Sequence, residues 1–410
     1  MKQRTLKYLG IFSAVYVVLL VLYYTIGIKV FTDLIQSMNL AFPVLLVVSM
    51  GGLISERSGV TNIALEGIMI MGAFLGFWFI VNLEQQSING FTVFVLGVIC
   101  VVFSFFIVAG CLFLINMLKE KNNQNKLQLP LVVKVAIAVV LGLLLTFLLL
   151  SAPLNKQVIY LFALMLVAVI GGLYSMIHAY ASVYLKSNQI ISATALNLFA
   201  PAFSIFTLRF IRGGSNIDIR TNMLINEVPL LSKIPVIGDM FFKQAYISLY
   251  IAVLIAVIVT IFLFKTQFGL RLRACGENPQ AADSLGVNIY RTRFIAVTLS
   301  GILAGIGGLM YVIPTKSYGT TVEGYGFLAI AVLIFGNWKP RNIVFAALFF
   351  SFMKTIALYY TEIPVLNNLG MSSEIYKAIP FVATLIVLAI FSKRSNMPKS
   401  LGQIYDQGQR

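Results

Sequence analysis

The sequence predicts an all-α, polytopic membrane bundle of about 10–12 transmembrane helices, and three observations carry that expectation. Of 410 residues, 59% are hydrophobic and 11% charged, against about 25% charged in a soluble domain. Apolar runs of membrane length recur from one end of the chain to the other. Basic residues gather in the short connections between those runs, where they set topology. Lipid offers no water to unpaired backbone groups, so such runs are read as helices. Residues 1–410 form a single membrane-spanning unit with no stretch suited to a soluble domain of its own.

The first run follows Lys2, Arg4 and Lys7. It is longer than a signal-peptide core and no Ala-x-Ala-like cleavage site follows, so it reads as a first transmembrane helix. Further runs lie at 36–54, 62–82, 91–118, 131–151, 157–185, 190–210, 244–265, 292–314, 325–336, 342–361 and 376–392. The 325–336 run is short for a crossing and is expected to be re-entrant or broken. Loop 119–130 is polar and joins two helices. Residues 211–243, with Pro229, Pro235 and Gly238, form an external loop, because Pro and Gly there oppose another span.

With the first helix starting inside and each run crossing once, twenty of the 30 Lys and Arg residues fall on the cytoplasmic side. Both termini and the 271–291 segment then face the cytoplasm of a multi-pass protein of the cell membrane. The formal charge of +16 is spread through short loops and includes no long basic arm, which argues against nucleic acid. Cys100, Cys111 and Cys275 make no metal or redox spacing, and His178 is the one histidine. No metal site is therefore expected. The chain contains no Gly-x-x-x-x-Gly-Lys-Ser/Thr loop, so no ATP site and no enzymatic activity are expected in this polypeptide.

Residues 271–291 are the longest polar stretch. Asn278 suits a helix cap, Pro279 a first helical position and Gly286 a left-handed end. Between them lies a short helix carrying Ala281 and Ala282, too short to persist in water without a partner. Polar residues within spans are the other candidates. Asn62 and Glu66 are four apart and expected on one helical face, and Glu66 is placed as the sole acid inside a helix. Asn197 and Lys354 are further polar groups at membrane depth. Each either lines a substrate pathway or pins neighbouring helices, and Lys354 can also snorkel. Gly301, Gly305 and Gly308 give one helix a small-residue face for close packing.

The stretch Gly276-Glu277-Asn278-Pro279-Gln280-Ala281-Ala282-Asp283-Ser284-Leu285-Gly286 resembles the cytoplasmic coupling segment of ABC importer permeases of the branched-chain amino acid and simple-sugar type. Ser55 to Gly67 is similar to the first signature of the nucleoside-uptake branch, and Gly324 to Gly336 looks like its Gly-Phe-x-Ala-Ile-Ala segment. A ribose-type Gly-Ile-Asp-Leu-Ser stretch is not present at the first signature. The 131–151 run reads as an additional helix relative to the family.

The resemblance implies a nucleoside permease working by alternating access. Glu277, Asn278, Pro279, Ala281, Ala282 and Gly286 would couple it to cytoplasmic ATPase subunits that hold ATP and Mg, with no cofactor in this chain. It also implies a second permease subunit, identical or not, an extracellular substrate-binding lipoprotein and a small-molecule substrate. A ribose-like sugar permease is the alternative within the class. An ion-coupled secondary transporter using Glu66 and Lys354 is the alternative outside it.

Overall fold

The computed structural model describes residues 28–84, 130–151, 155–361 and 396–407, with isolated positions between 93 and 108 and between 372 and 382. The run expected at 1–27, most of those at 91–118 and 376–392, and all of loop 119–130 but its last residue lie outside the described residues. The chain forms α1 (Ile28–Arg57), α2 (Leu65–Glu84), α3 (Leu131–Ser151), α4 (Lys156–Ala179), α5 (Gln189–Arg212), α6 (Ile247–Lys265), α7 (Gln267–Glu277), α8 (Pro279–Ser284), α9 (Ile289–Thr315), α10 (Tyr325–Phe335) and α11 (Pro340–Tyr359). Among the described residues seven helices are long and apolar enough to cross a membrane: α1, α2, α4, α5, α6, α9 and α11.

Asparagines start several of these helices. The Asn155, Asn188, Asn278 and Asn288 side chains each accept a bond from a first-turn N–H, which satisfies donors that have no partner inside the helix. Gly213 closes α5 with φ +70°. α4 continues into a π-helical turn at Tyr180–Tyr184.

α9 is the central post and packs against α4, α1 and α2. Its small-residue face makes this possible. A Cβ on Gly305 would strike the Val167 carbonyl of α4, and one on Gly308 would strike Met69 of α2, so the backbones approach as closely as glycine permits. Phe74, Phe77 and Leu309 fill the layer beside it. At one end, short strands β1 (Ile217–Asp218), β2 (Ile225–Glu227), β3 (Lys243–Ala245) and β4 (Ser317–Tyr318) pair as β1 with β4 and β2 with β3, both antiparallel.

Several expectations need correction. The 271–291 stretch is mostly helix: α7 buries Leu272 and Cys275 against the bundle, and backbone breaks are confined to Asn278 and the turn before α9. Asn62 and Glu66 do not share a helix, because residues 58–64 are unwound and α2 begins at Leu65. Glu66 is not the sole acid inside a helix, since Glu56 in α1 is equally buried. The run near 325, by contrast, is as its shortness predicts: a half-helix. Its 11 residues span about 16 Å, roughly half a hydrocarbon core. Residues 316–324 fold back into the bundle before it, with Tyr318 and Val322 fully buried.

Candidate functional site

The corner between α7 and α9 is built from its capping residues. Asn278 has φ −152° and ψ 92°, which stops α7, and its Oδ1 accepts from Ala281 N at 3.0 Å to start α8 with Pro279 in the first turn. Gly286 has φ +79° and lets the chain turn into α9. The two alanines face opposite ways. Ala282 is buried among Cys275, Ile289 and Tyr405, whereas Ala281 is exposed beside Leu285, which is 85% accessible. α8 therefore clamps onto the protein by one face and presents the other. Glu277 reaches Arg57 at 3.6 Å, and Arg57 Nη2 donates to the Trp338 carbonyl at 2.7 Å. Trp338 Nε1 in turn donates to Glu56 Oε2 at 2.6 Å. The corner is thus tied to the end of α1 and to the turn between α10 and α11.

The tail 396–407 closes the same end. Asp406 pairs with Lys186 at 2.7 Å, and that bond raises the Lys186 ammonium above its ordinary range. Gln407 Nε2 donates to Asp283 Oδ1 at 3.1 Å, and Asn396 N to Asn337 Oδ1 at 2.6 Å. These contacts gather Arg57, Lys186, 271–291, Asn337 and the tail at one end of the bundle. The charge count assigns the same segments to one side.

The second cluster surrounds the unwound segment 58–64: turn bonds serve the N–H groups of Ser58, Gly59 and Val60, and side chains serve several of the groups that follow. Thr61 N donates to Gln189 Oε1 at 2.8 Å. His178, fully buried, holds the Thr61 carbonyl with Nε2 and Ser192 Oγ with Nδ1. Asn62 Nδ2 donates to Ser300 Oγ at 3.1 Å. Asn197 Oδ1 accepts from Gly67 N at 2.7 Å, and its Nδ2 donates to the Ile63 carbonyl at 3.0 Å. Glu66 accepts from Gly324 N at 2.9 Å and Gly326 N at 2.7 Å. Its carboxylate thus lies at the N-terminal ends of both α2 and α10, where helix dipoles favour an anion.

Lys354 meets the same turn from α11, on residues that flank Gly324. Its ammonium lies 3.6 Å from the centre of the Tyr325 ring and 3.8 Å from Glu323 Oε2. The Glu323 side chain is 62% accessible. Glu323, Tyr325, Arg57 and Trp338 were not legible as site residues in the sequence. The Gly324–Gly336 segment contains Tyr325 and the Ser55–Gly67 stretch contains Arg57, but the pairing with Lys354 depends on how α10 folds back against α11.

Comparison with known proteins places this architecture. The family described as branched-chain amino acid transport system / permease component matches residues 132–388. The chain belongs to this permease family. It is similar to the nucleoside ABC transporter permease protein NupC of Lactococcus lactis subsp. cremoris, 33% identical over 383 residues, 93% of this chain and 97% of that protein. The guanosine ABC transporter permease protein NupQ of Bacillus subtilis is 30% identical over 389 residues, 92% of this chain and 100% of that protein. The putative glucose ABC transporter permease protein TsgC13 of Haloferax volcanii is 25% identical over 394 residues, 90% of this chain and 95% of that protein. No solved structure matches.

As a member of this permease family the chain is a multi-pass membrane subunit and not an enzyme. The matched region contains the α7–α8 corner, the half-helix α10 and Lys354 of the permease, while the unwound segment 58–64 precedes it.

Proposed function

We propose that this permease is the translocating subunit of an ATP-driven importer of nucleosides. Its similarity over nearly the full length of both chains to NupC carries the reading. ATP and Mg would be held by separate cytoplasmic ATPase subunits, docked on the exposed face of α8. Glu277, Asn278, Pro279, Ala281, Ala282 and Gly286 form that coupling corner: Asn278, Pro279 and Gly286 set its ends, Ala282 anchors it and Ala281 is presented. A second permease subunit completes the pathway and an extracellular lipoprotein delivers the substrate. Both termini face the cytoplasm, in keeping with the charge distribution.

Transport proceeds by alternating access as closure of the ATPases moves α8 and rocks the two permease subunits. Within the span, Lys354 and Glu323 are assigned to the substrate pathway, because an ion pair at membrane depth with one partner accessible suits contact with water or polar cargo. Asn62, Glu66 and Asn197 hold the pathway's wall in shape by bonding the unwound segment and the half-helix. Competition against uptake of labelled uridine by adenosine, ribose and leucine tests the cargo. Adenosine is expected to compete and the other two are not. Failure of uridine to enter, or competition by ribose alone, would remove the nucleoside assignment.

A further inference from the structure

Among the described residues, one deeply buried charged group at the α8 end of the bundle is used by neither the coupling corner nor the pathway. Arg293, near the start of α9, is 3% accessible. Its guanidinium donates to three backbone carbonyls on three separate segments: Nε to Ser58 at 3.1 Å, Nη1 to Gln403 at 2.9 Å and Nη2 to Cys275 at 3.4 Å. None of these bonds goes to a carboxylate. A planar fork with five donors can serve three acceptors lying in different directions, which a lysine ammonium on a flexible stem cannot reproduce.

Each carbonyl is one the local backbone leaves open. In a continuous helix the Cys275 carbonyl would accept from the residue four positions on, which is Pro279 and has no N–H. Ser58 lies just past the end of α1, beyond its helical bonds. The tail is inserted between these two segments by its own backbone: Ser400 N donates to the Gly276 carbonyl at 2.9 Å and Gly402 N to the Gly59 carbonyl at 3.0 Å. Gly59, at φ +94°, lies so near that an added Cβ would sit 2.7 Å from Arg293 Nη2. Tyr405 is buried, its ring 5.7 Å from Tyr290, in the cluster that also holds Ala282.

We propose that Arg293 and the tail 396–407 form a joint that transmits movement of α8 to the unwound segment 58–64, making them positioning elements for transport. The geometry gives a continuous path. α8 and the end of α7 move as one piece through Asn278. Arg293 and the tail grip that piece and the Ser58–Gly59 turn together. The turn leads within four residues to Asn62 and Ile63, and on to Glu66 and the half-helix α10. The other direct links between the corner and this turn are the close backbone approach of Gly276 to Arg57 and Gly59 and the Glu277–Arg57 pair, in which Glu277 is half-exposed and the attraction screened; neither engages the tail.

This inference rests on the coupling role proposed for α8, and its test keeps the two separable. The complex with its ATPase subunits is reconstituted in liposomes, for the wild type, Arg293→Lys, Arg293→Met, a truncation lacking 396–410, and Arg293→Met combined with that truncation. Uridine uptake and ATP hydrolysis are measured per mole of assembled complex. The expected result is basal ATP hydrolysis within about twofold of wild type in every variant, because that chemistry resides on other subunits. Uptake per ATP should fall about tenfold or more in Arg293→Met and in the truncation, and by less in Arg293→Lys. The combined variant should be no worse than the more severe single change, since both act on one joint. An unchanged uptake-to-ATP ratio, with uptake falling only in step with the amount of complex, would overturn the proposal. If Arg293→Met does not assemble, Arg293→Lys and the truncation decide by the same ratio. A wild-type protein that carries no ATPase would instead refute the importer reading itself.

Discussion

At the scale of single residues, the buried polar groups divide by what they touch. Asn62, Asn197 and Glu66 each bond a backbone group or a neighbouring helix, so their removal should be felt first as lost stability. Glu66→Gln replaces one acceptor oxygen by an amide donor facing a backbone N–H. A charge-assisted bond is worth about 1.5–3 kcal/mol, and an unsatisfied buried donor costs about 1–3 kcal/mol. The thermal midpoint of the purified complex should therefore drop, and an unchanged midpoint would contradict the double acceptance from Gly324 and Gly326. Cys275 supplies a pH test. Burial pushes its thiol from 9.0 up to about 11, with nearby Arg293 opposing in part. The fold binds the neutral thiol, so this contribution to stability is complete below about pH 9 and is lost as pH rises to about 11. Cys275→Ser should flatten the alkaline fall in stability over that window. With Cys100 and Cys111 replaced by Ser, maleimide labelling of the native protein at pH 8 should be slow, and rapid labelling would contradict the burial.

At the scale of elements, α8 shows how much a cap determines. Its six residues are too few for a helix to persist alone, and it survives because Asn278 serves its first donors and Ala282 is buried beneath it. Gly286 closes it at φ +79°, where a β-branched residue costs roughly 1–2 kcal/mol. A Cβ there would meet nothing within 4 Å, so the effect of a substitution lies in the backbone and not in a clash. Gly286→Val should keep the protein in the membrane yet abolish substrate-stimulated ATP hydrolysis, while Gly286→Asn, whose side chain tolerates the left-handed region, should retain most of it. Equal stimulation in wild type and Gly286→Val would show that the exit angle of α8 does not matter. α10 makes the complementary point. Its shortness was legible from run length, but the segment that folds back before it was not. Tyr318 and Val322 are buried there through tertiary contacts and a two-residue pairing with β1.

At the scale of the whole molecule, the sequence by itself determined the membrane bundle, the division of its connections between two ends and the capped α8. These follow from local properties: run length, where lysine and arginine fall, and residues that set backbone angles at 278–286. Tertiary structure alone decided which intramembrane polar groups meet. Asn197 and Gly67 are 130 positions apart, and Glu66 and Gly326 are 260 apart. Periodicity put Asn62 and Glu66 on one helical face because it cannot register that Gln189, His178 and Asn197 stand ready to satisfy an unwound backbone. The joint at Arg293 was hidden for the same reason. Its three carbonyls are main-chain atoms, common to every residue type, so the sequence carries no mark of them, and only the packing of α1, α7, α9 and the tail aims them at one guanidinium.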